Sequence, residues 1–480
     1  DVTVKVYPHA GPLMTTREID LAQDNFPEAG TFDPADLGAL HVRFDMANNI
    51  ALESHQRNDP GDSVVIHSDH LKFGTVLPAA PDMHYLVRTN PLFDSFRGTH
   101  AYEGSVAGGY ITRDCLDCSY WSFDLPDSAF LFPGDVVHYY FTAIEDLGGG
   151  QTHASILPAD TTGFSTGFDH PLGYDPSFTM RALPTLVSDG EGGVEAPDIL
   201  VWDDTGDPEA MVGMYSALTQ KVGQIGDAYD VYRTQGASSG VGNGLGGRTT
   251  ADLLDLYDLI VYCSGDQTLN TITRPDYRHD PGDDIGVLTA WLELGDKGIF
   301  LSGDNLVADL TSSQMSEGNA FANDLMGVDL VDRDLRPLIG GQIAPVVMAI
   351  PGNSVLVNQD SWLAYGGCPL INTFDAVQPI GNAERLAEFS DIHRITGIYW
   401  YSAATLNQPA NAPTSRVISL PYDFGTIRDD EGGSYPDPDR SHLLLDILHG
   451  LGYRGSPPPW HDPVPVPLPG APFAVQQHPN

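Results

Sequence analysis

Two kinds of hydrophobic patterning divide the chain. Up to about residue 185, short apolar runs alternate with polar positions at a period of two. In Val136-Val-His-Tyr-Tyr-Phe-Thr-Ala143 the side chains of Val137, Tyr139, Phe141 and Ala143 fall on one face. Leu40-His-Val-Arg-Phe44, Ser63-Val-Val-Ile66 and His84-Tyr-Leu-Val87 also read as strands, separated by Pro, Gly, Asn and Asp clusters with no helical period between them. The pattern predicts a β-sandwich over residues 1–185, with a hairpin turn at Gly148-Gly-Gly150.

Residues 186–197 contain Ser188-Asp-Gly-Glu-Gly-Gly-Val-Glu-Ala-Pro197, too polar to bury apolar area, and predict a linker. The period then changes. Asp198-Ile-Leu-Val-Trp202 is a continuous apolar run of the kind buried on both faces of a sheet, followed by a helix from Pro208 to about Gly223. Strands Tyr229–Arg233, Asp258–Cys263 and Gly298–Ser302 alternate with helices Thr249–Leu256 and Ile285–Leu294, and a helix Gly318–Met326 follows. The alternation predicts an open, mostly parallel α/β sheet over residues 198–455, with a β-rich insertion at about 328–425 that includes Val346–Ile350 and Ser415–Leu420. A last helix, Arg440–Leu451, stops at Gly452. Residues 456–480 are Pro-rich and read as an extended tether.

Charge narrows the partners. With 23 Lys+Arg against 65 Asp+Glu, the formal charge of −42 repels nucleic acid and anionic membrane surfaces, whose binding needs cation contacts. The 41% of hydrophobic residues still supports packed cores. No apolar run is long enough to cross a bilayer. Asp1 opens directly into an alternating strand pattern, as expected if a signal peptide or a whole upstream segment has been removed. Of four cysteines, Cys115 and Cys118 are close enough for a local disulfide, with a reduced structural pair as the alternative. Cys263 and Cys368 offer a second pairing or plain packing.

Three segments carry resemblances. Pro133–Gly150 resembles the penultimate strand of immunoglobulin-like or fibronectin-type-III-like modules of secreted bacterial proteins. Phe473-Ala-Val-Gln-Gln-His-Pro-Asn480 resembles the opening of the C-terminal immunoglobulin-like sorting modules of such proteins, which implies that a sorting module would follow. Residues 198–310, through strands Asp258–Cys263 and Gly298–Ser302, resemble flavodoxin-like α/β domains of the class I glutamine amidotransferase type, and more loosely the caspase-like domain of gingipain-type peptidases. The amidotransferase pattern implies a Cys nucleophile at a strand-to-helix elbow, which here reads Leu301-Ser-Gly-Asp-Asn-Leu306. The gingipain pattern implies His-Gly after one strand and Cys after the next, where this chain has Cys263-Ser-Gly265 and Ser302-Gly-Asp304. Both catalytic types are replaced, so the resemblance implies a catalytically degenerate domain.

Candidate chemistry gathers at the carboxyl ends of these strands, where open α/β sheets bind ligands. Ser302 with a remote base such as His393, a loop thiol at Cys368, or an edge site around Asp203, Asp266, Asp304 and Cys263 are the catalytic candidates, each against a structural reading. Asp203, Asp204 and Asp207 are candidate ligands for Ca²⁺, with Asp266, Asp304 and Asn305 nearby, unless Asp207 simply caps the following helix. His67-Ser-Asp-His70 splits its two imidazoles between strand faces, against a zinc site. Gly240–Gly247 lacks the P-loop Lys and reads as a flexible loop, not a phosphate cradle, and Asp437-Pro-Asp439 as a solvated acidic loop. Trp121, Trp362 and Trp400 are core residues or, alternatively, an aromatic platform for a carbohydrate. The expected function is an extracellular structural or adhesive role, self-assembling or binding surface proteins or glycans. The alternative is a secreted peptidase-like or glycan-directed hydrolase with its site at the sheet's carboxyl edge.

Overall fold

The computed structural model describes residues 13–19, 64–69, 80–112, 118–125, 130–188, 194–205, 211–234, 244–274, 282–312, 316–339, 345–364, 373–390, 401–427 and 440–455, save 98, 124 and 248. The molecule is β-rich, with a large mixed sheet, smaller antiparallel sheets and few helices. No described helix is long and apolar enough to cross a membrane.

Nine strands come first: β1 (Leu13–Ile19), β2 (Val64–Asp69), β3 (Asp82–Arg88), β4 (Glu103–Ala107), β5 (Gly109–Thr112), β6 (Cys118–Phe123), β7 (Val136–Gly148), β8 (Gln151–Leu157) and β9 (Thr179–Arg181). They form a four-stranded sheet in the order β1-β2-β6-β5 and a five-stranded sheet in the order β4-β3-β7-β8, with β9 also paired to β7, every pair antiparallel. One apolar cluster joins them. Phe123 of β6 meets Phe141 of β7 at 4.9 Å between ring centroids, and Val137, Tyr139, Phe141 and Ala143 lie together in that cluster as their spacing demands. The β7–β8 hairpin turns at Gly149 and Gly150, whose φ values of 66° and 79° are the left-handed pair that a tight hairpin requires. The strand expected at Leu40–Phe44 lies outside the described residues.

The chain is held by the fold where it enters the expected linker. Thr185 donates its backbone N–H to Asp230 Oδ2 at 2.8 Å, the Asn90 amide donates to the Leu186 carbonyl at 2.8 Å, and Leu186 is buried among Phe93, Phe132 and Leu253. Short strands β10 (Val187–Ser188) and β11 (Val194–Glu195) pair across the bend. Apolar and hydrogen-bonded contacts therefore fix the join between the two halves, because Leu183 and Leu186 each have a hydrophobic cluster to enter.

The remaining strands are β12 (Ile199–Asp203), β13 (Tyr229–Arg233), β14 (Leu259–Cys263), β15 (Gly298–Ser302), β16 (Val328–Asp332), β17 (Val346–Ala349), β18 (Ser361–Leu363), β19 (Ala376–Pro379), β20 (Glu384–Ser390), β21 (Ser402–Asn407) and β22 (Arg416–Leu420). They make one 11-stranded sheet in the order β13-β12-β14-β15-β22-β21-β20-β17-β18, with β19 pairing β21 and β16 pairing β19. The first five in this order run parallel and the remainder antiparallel. This corrects the expected insertion. Ser415–Leu420 supplies the fifth parallel strand, and the stretch before it extends the same sheet.

Helices α1 (Val212–Lys221), α2 (Ala251–Leu254), α3 (Asp284–Glu293), α4 (Leu306–Leu310), α5 (Ser316–Ala320) and α6 (Arg440–Leu451) cover both faces of the parallel strands. Ile199 and Val201 pack with α1 and α6, whereas Leu200 and Trp202 pack with α3 and α4, which is why the strand reads as continuously apolar. The helix expected over Gly318–Met326 is in fact α5 followed by a π-helical turn, Phe321–Met326.

At Gly298 an added Cβ would sit 2.5 Å from the Leu259 side chain and 2.9 Å from the Leu451 carbonyl oxygen. Gly298→Ala is therefore expected to push α6 off the sheet and lower stability by about 1–3 kcal/mol, read as an earlier urea midpoint with an unchanged slope.

Candidate functional site

Each parallel strand ends in polar residues at one edge of the sheet. Asp203 and Asp204 close β12, Cys263 closes β14, Ser302 closes β15 with Asp304 two residues on, and Asp423 follows β22. All of these side chains are buried, with Cys263, Ser302 and Asp304 at 0% exposure. The edge holds together through its own hydrogen bonds.

Ser302 is committed on both sides. Its hydroxyl donates to the Tyr422 carbonyl at 2.9 Å and accepts the Phe424 backbone N–H at 2.7 Å. The hydroxyl proton is thus held by a backbone carbonyl, where a serine nucleophile needs an imidazole or other base. The Cys263 thiol donates to Asp423 Oδ1 at 3.3 Å. Burial, reinforced by the negative Asp423, pushes its pKa well above the ordinary thiol value and keeps it from becoming a thiolate. Cys263 is a buried free thiol. Cys368, Cys115 and His393 lie outside the described residues, and of Cys118 the backbone alone is placed, in β6.

The two aspartates of β12 enter separate networks. Asp203 Oδ2 pairs with the Arg233 guanidinium at 2.7 Å and accepts the Tyr215 hydroxyl at 2.6 Å, while Oδ1 accepts the backbone N–H and hydroxyl of Thr205 at 3.2 and 3.0 Å. Asp204 Oδ2 accepts the Tyr262 hydroxyl at 3.0 Å. Among the described residues no group of three or more His, Cys, Asp or Glu is arranged around a common point for a metal ion. Asp207, the third calcium candidate, lies outside the described residues, and α1 begins at Val212 with no side-chain cap.

Asp304, Asp423 and Asp375 form the acidic centre of the edge. Asp304 Oδ1 accepts the Asp423 backbone N–H at 2.8 Å, and Oδ2 is buried with no hydrogen-bond partner. The Asp375 N–H donates to the Asp304 carbonyl at 3.0 Å, and Asp375 Oδ2 accepts the Ala308 N–H at 2.9 Å inside α4. Asp423 Oδ1 also accepts the Gly425 N–H at 2.8 Å. Burial, and then the neighbouring Asp423, Asp266 and Asp375 carboxyls, raise Asp304 well above the carboxylate range. Burial raises Asp375 to about 8 and, with Asp266 adding repulsion, Asp423 to about 6. Asp266 itself is exposed, and Asn305 accepts the Thr373 hydroxyl at 2.6 Å through its side-chain oxygen.

Sequence reasoning brought Asp203, Cys263, Ser302 and Asp304 to one edge but missed Asp423, Asp375, Arg233 and Tyr215. Asp423 had a usable signal, since it follows a buried apolar run just as Asp203 does. The remaining candidates are accounted for elsewhere. In the glycine-rich segment the Gly246 N–H donates to Asp284 Oδ1 at 2.7 Å, so this loop cradles the chain's own carboxylate; its residues 240–243 lie outside the described ones. Trp362 is buried and donates to the Tyr422 hydroxyl at 2.9 Å, which makes it core. Trp121 is half-buried with its ring edge-on to exposed Tyr110, and Trp400 lies outside the described residues. His67 and Asp69 sit in β2, while His70, Asp437 and Asp439 are also outside them.

No protein-family model matches the chain, and no curated protein matches it. Among solved structures it is similar to a cytoplasmic protein from Salmonella typhimurium, at 12% identity and a TM-score of 0.33 over 53% of this chain and 98% of that one. It is also similar to the N-terminal domain of mmIFT52, at 8% identity and a TM-score of 0.29 over 52% of this chain and 95% of that one.

Two outcomes are expected at this edge. Because the folded-state pKa values of Asp423 and Asp375 are raised, their protonated forms stabilise the fold fully below about pH 4, and that stability is lost as pH rises through about 6 and about 8. Urea midpoints should therefore fall from about pH 5 to about pH 9, and Asp423→Asn with Asp375→Asn should flatten the decline. Iodoacetamide, followed by peptide mapping, should modify Cys263 in unfolded protein at least about tenfold faster than in folded protein.

Proposed function

We propose that the chain is an extracellular structural or adhesive protein whose α/β half serves as a catalytically silent scaffold. The observation that carries this reading is the closed hydrogen bonding of the carboxyl edge. Ser302 and Cys263 stand where a nucleophile would stand, and each is buried and held by the fold's own groups. The five parallel strands with helices on both faces support an amidotransferase-like framework for residues 198–455. The two antiparallel sheets with one shared cluster support an immunoglobulin-like sandwich before it. The alternative hydrolase would need a nucleophile in contact with both a base and solvent at this edge.

Self-association, or attachment to other surface proteins or glycans, is the activity that remains for such a scaffold. The Pro-rich stretch from residue 456 suits it, since proline favours extended chain and reaches further per residue than a coil. Light scattering and negative-stain microscopy of natively purified protein should reveal ordered particles larger than the 51.7 kDa chain. A strictly monomeric protein that shows no surface association overturns the reading.

A further inference from the structure

At the opposite end of β22 from Asp423 lies a cavity of about 620 Å³. Arg416, the first residue of β22, lines it together with Glu384 at the start of β20, Gln408 just past β21, and Asp446 and His449 of α6. Its volume falls within the roughly 300–1,000 Å³ typical of small-molecule sites.

The charged groups are oriented in advance. Glu384 Oε1 accepts the Ser354 backbone N–H at 2.8 Å, and Oε2 accepts the Ser354 hydroxyl at 2.7 Å. Asp446 Oδ2 accepts the Gln359 amide at 3.0 Å. The Arg416 guanidinium donates to the Gly450 carbonyl at 2.6 Å. Side chains fixed in this way lose little rotamer freedom when a ligand arrives.

The mixture of donors and acceptors selects the ligand. A cation drawn to Glu384 and Asp446 would also face Arg416. An anion drawn to Arg416 would face two carboxylates in a chain of formal charge −42. A hydroxyl donates and accepts at one atom, so it can serve the carboxylates, the guanidinium, the Gln408 amide and the His449 imidazole alike. Val355 and Leu406 add apolar wall against which the C–H face of a sugar ring can pack. We propose that this cavity binds a neutral polyhydroxylated ligand, namely a short saccharide. The site stands independently of the assembly reading, because none of its lining residues belongs to the carboxyl edge.

The test uses the full chain. Saturation-transfer NMR against neutral mono- and disaccharides, with putrescine and galacturonate as charged comparisons, should give signal for at least one neutral sugar and none for the charged probes. Gln408→Ala and Asp446→Asn should each weaken that sugar by about tenfold, as expected for a lost hydrogen bond to an oriented partner, with the melting temperature unchanged. A variant that melts early is replaced by His449→Ala, whose side chain is exposed at the cavity. Silence from every neutral sugar, stronger binding of either charged probe, or equal binding by folded variants overturns the proposal.

Discussion

Strand β22 bonds in parallel to β15 on one side and antiparallel to β21 on the other, and both halves of the large sheet depend on that double pairing. Its side chains alternate between two cores. Ile418 and Leu420 join the cluster under α1 and α6, whereas Val417 joins the cluster under α3 and α4. A slip of one residue would exchange those faces and break register with both neighbours at once. The ends are clamped as well. The Arg416 N–H donates to the Lys297 carbonyl at 2.8 Å, and past the other end Phe424 and Asp423 donate backbone N–H groups to Ser302 and Asp304.

The carboxyl edge handles buried aspartates in two ways. Asp203 stands beside a guanidinium, with a tyrosine and a threonine completing its shell, so removing Arg233 would leave a buried carboxyl without its ionic partner. Among the described residues no such cation stands at hydrogen-bond distance from Asp304, Asp375 or Asp423, and burial favours their neutral forms. A carboxylic acid can donate as well as accept, which suits loops that must satisfy one another without water. Deprotonation at high pH would place neighbouring charges together in the core.

The β-rich character and the strands of the large mixed sheet were legible because apolar runs such as Ile199–Trp202 and Leu259–Cys263 are buried on both faces. Period alone could not distinguish Arg416–Leu420 as a parallel strand from the antiparallel strands before it, since both are short and apolar. That pairing is set by contacts far apart in sequence. Asp423 and Asp375 were missed for the same reason: each acquires its role from a loop more than sixty residues away. Where the chain passes between the sheets, Leu183 and Leu186 are captured by neighbouring cores, contacts that local composition does not encode. The Cys263 thiol meets the Asp423 carboxyl, a partner 160 residues away that local sequence does not reveal.

The antiparallel extension also explains where the molecule is open. In an all-parallel sheet the amino edge is closed over by returning helix-to-strand loops, and ligands collect at the carboxyl edge. Here β21 runs against β22, so Leu406 lies opposite Ile418 and the chain continues past Asn407 toward the amino end of β22. Strand β20 runs against β21 and starts at the same place, with Glu384 opposite Leu406. Strand ends thus gather at the amino edge beside the last turns of α6 and leave a walled cavity between them. The same strand order that lets the loops after β15 and β22 close over each other at one edge creates a lined opening at the other. The lined cavity thus lies at the amino edge, away from the carboxyl edge that fold analogy alone would choose.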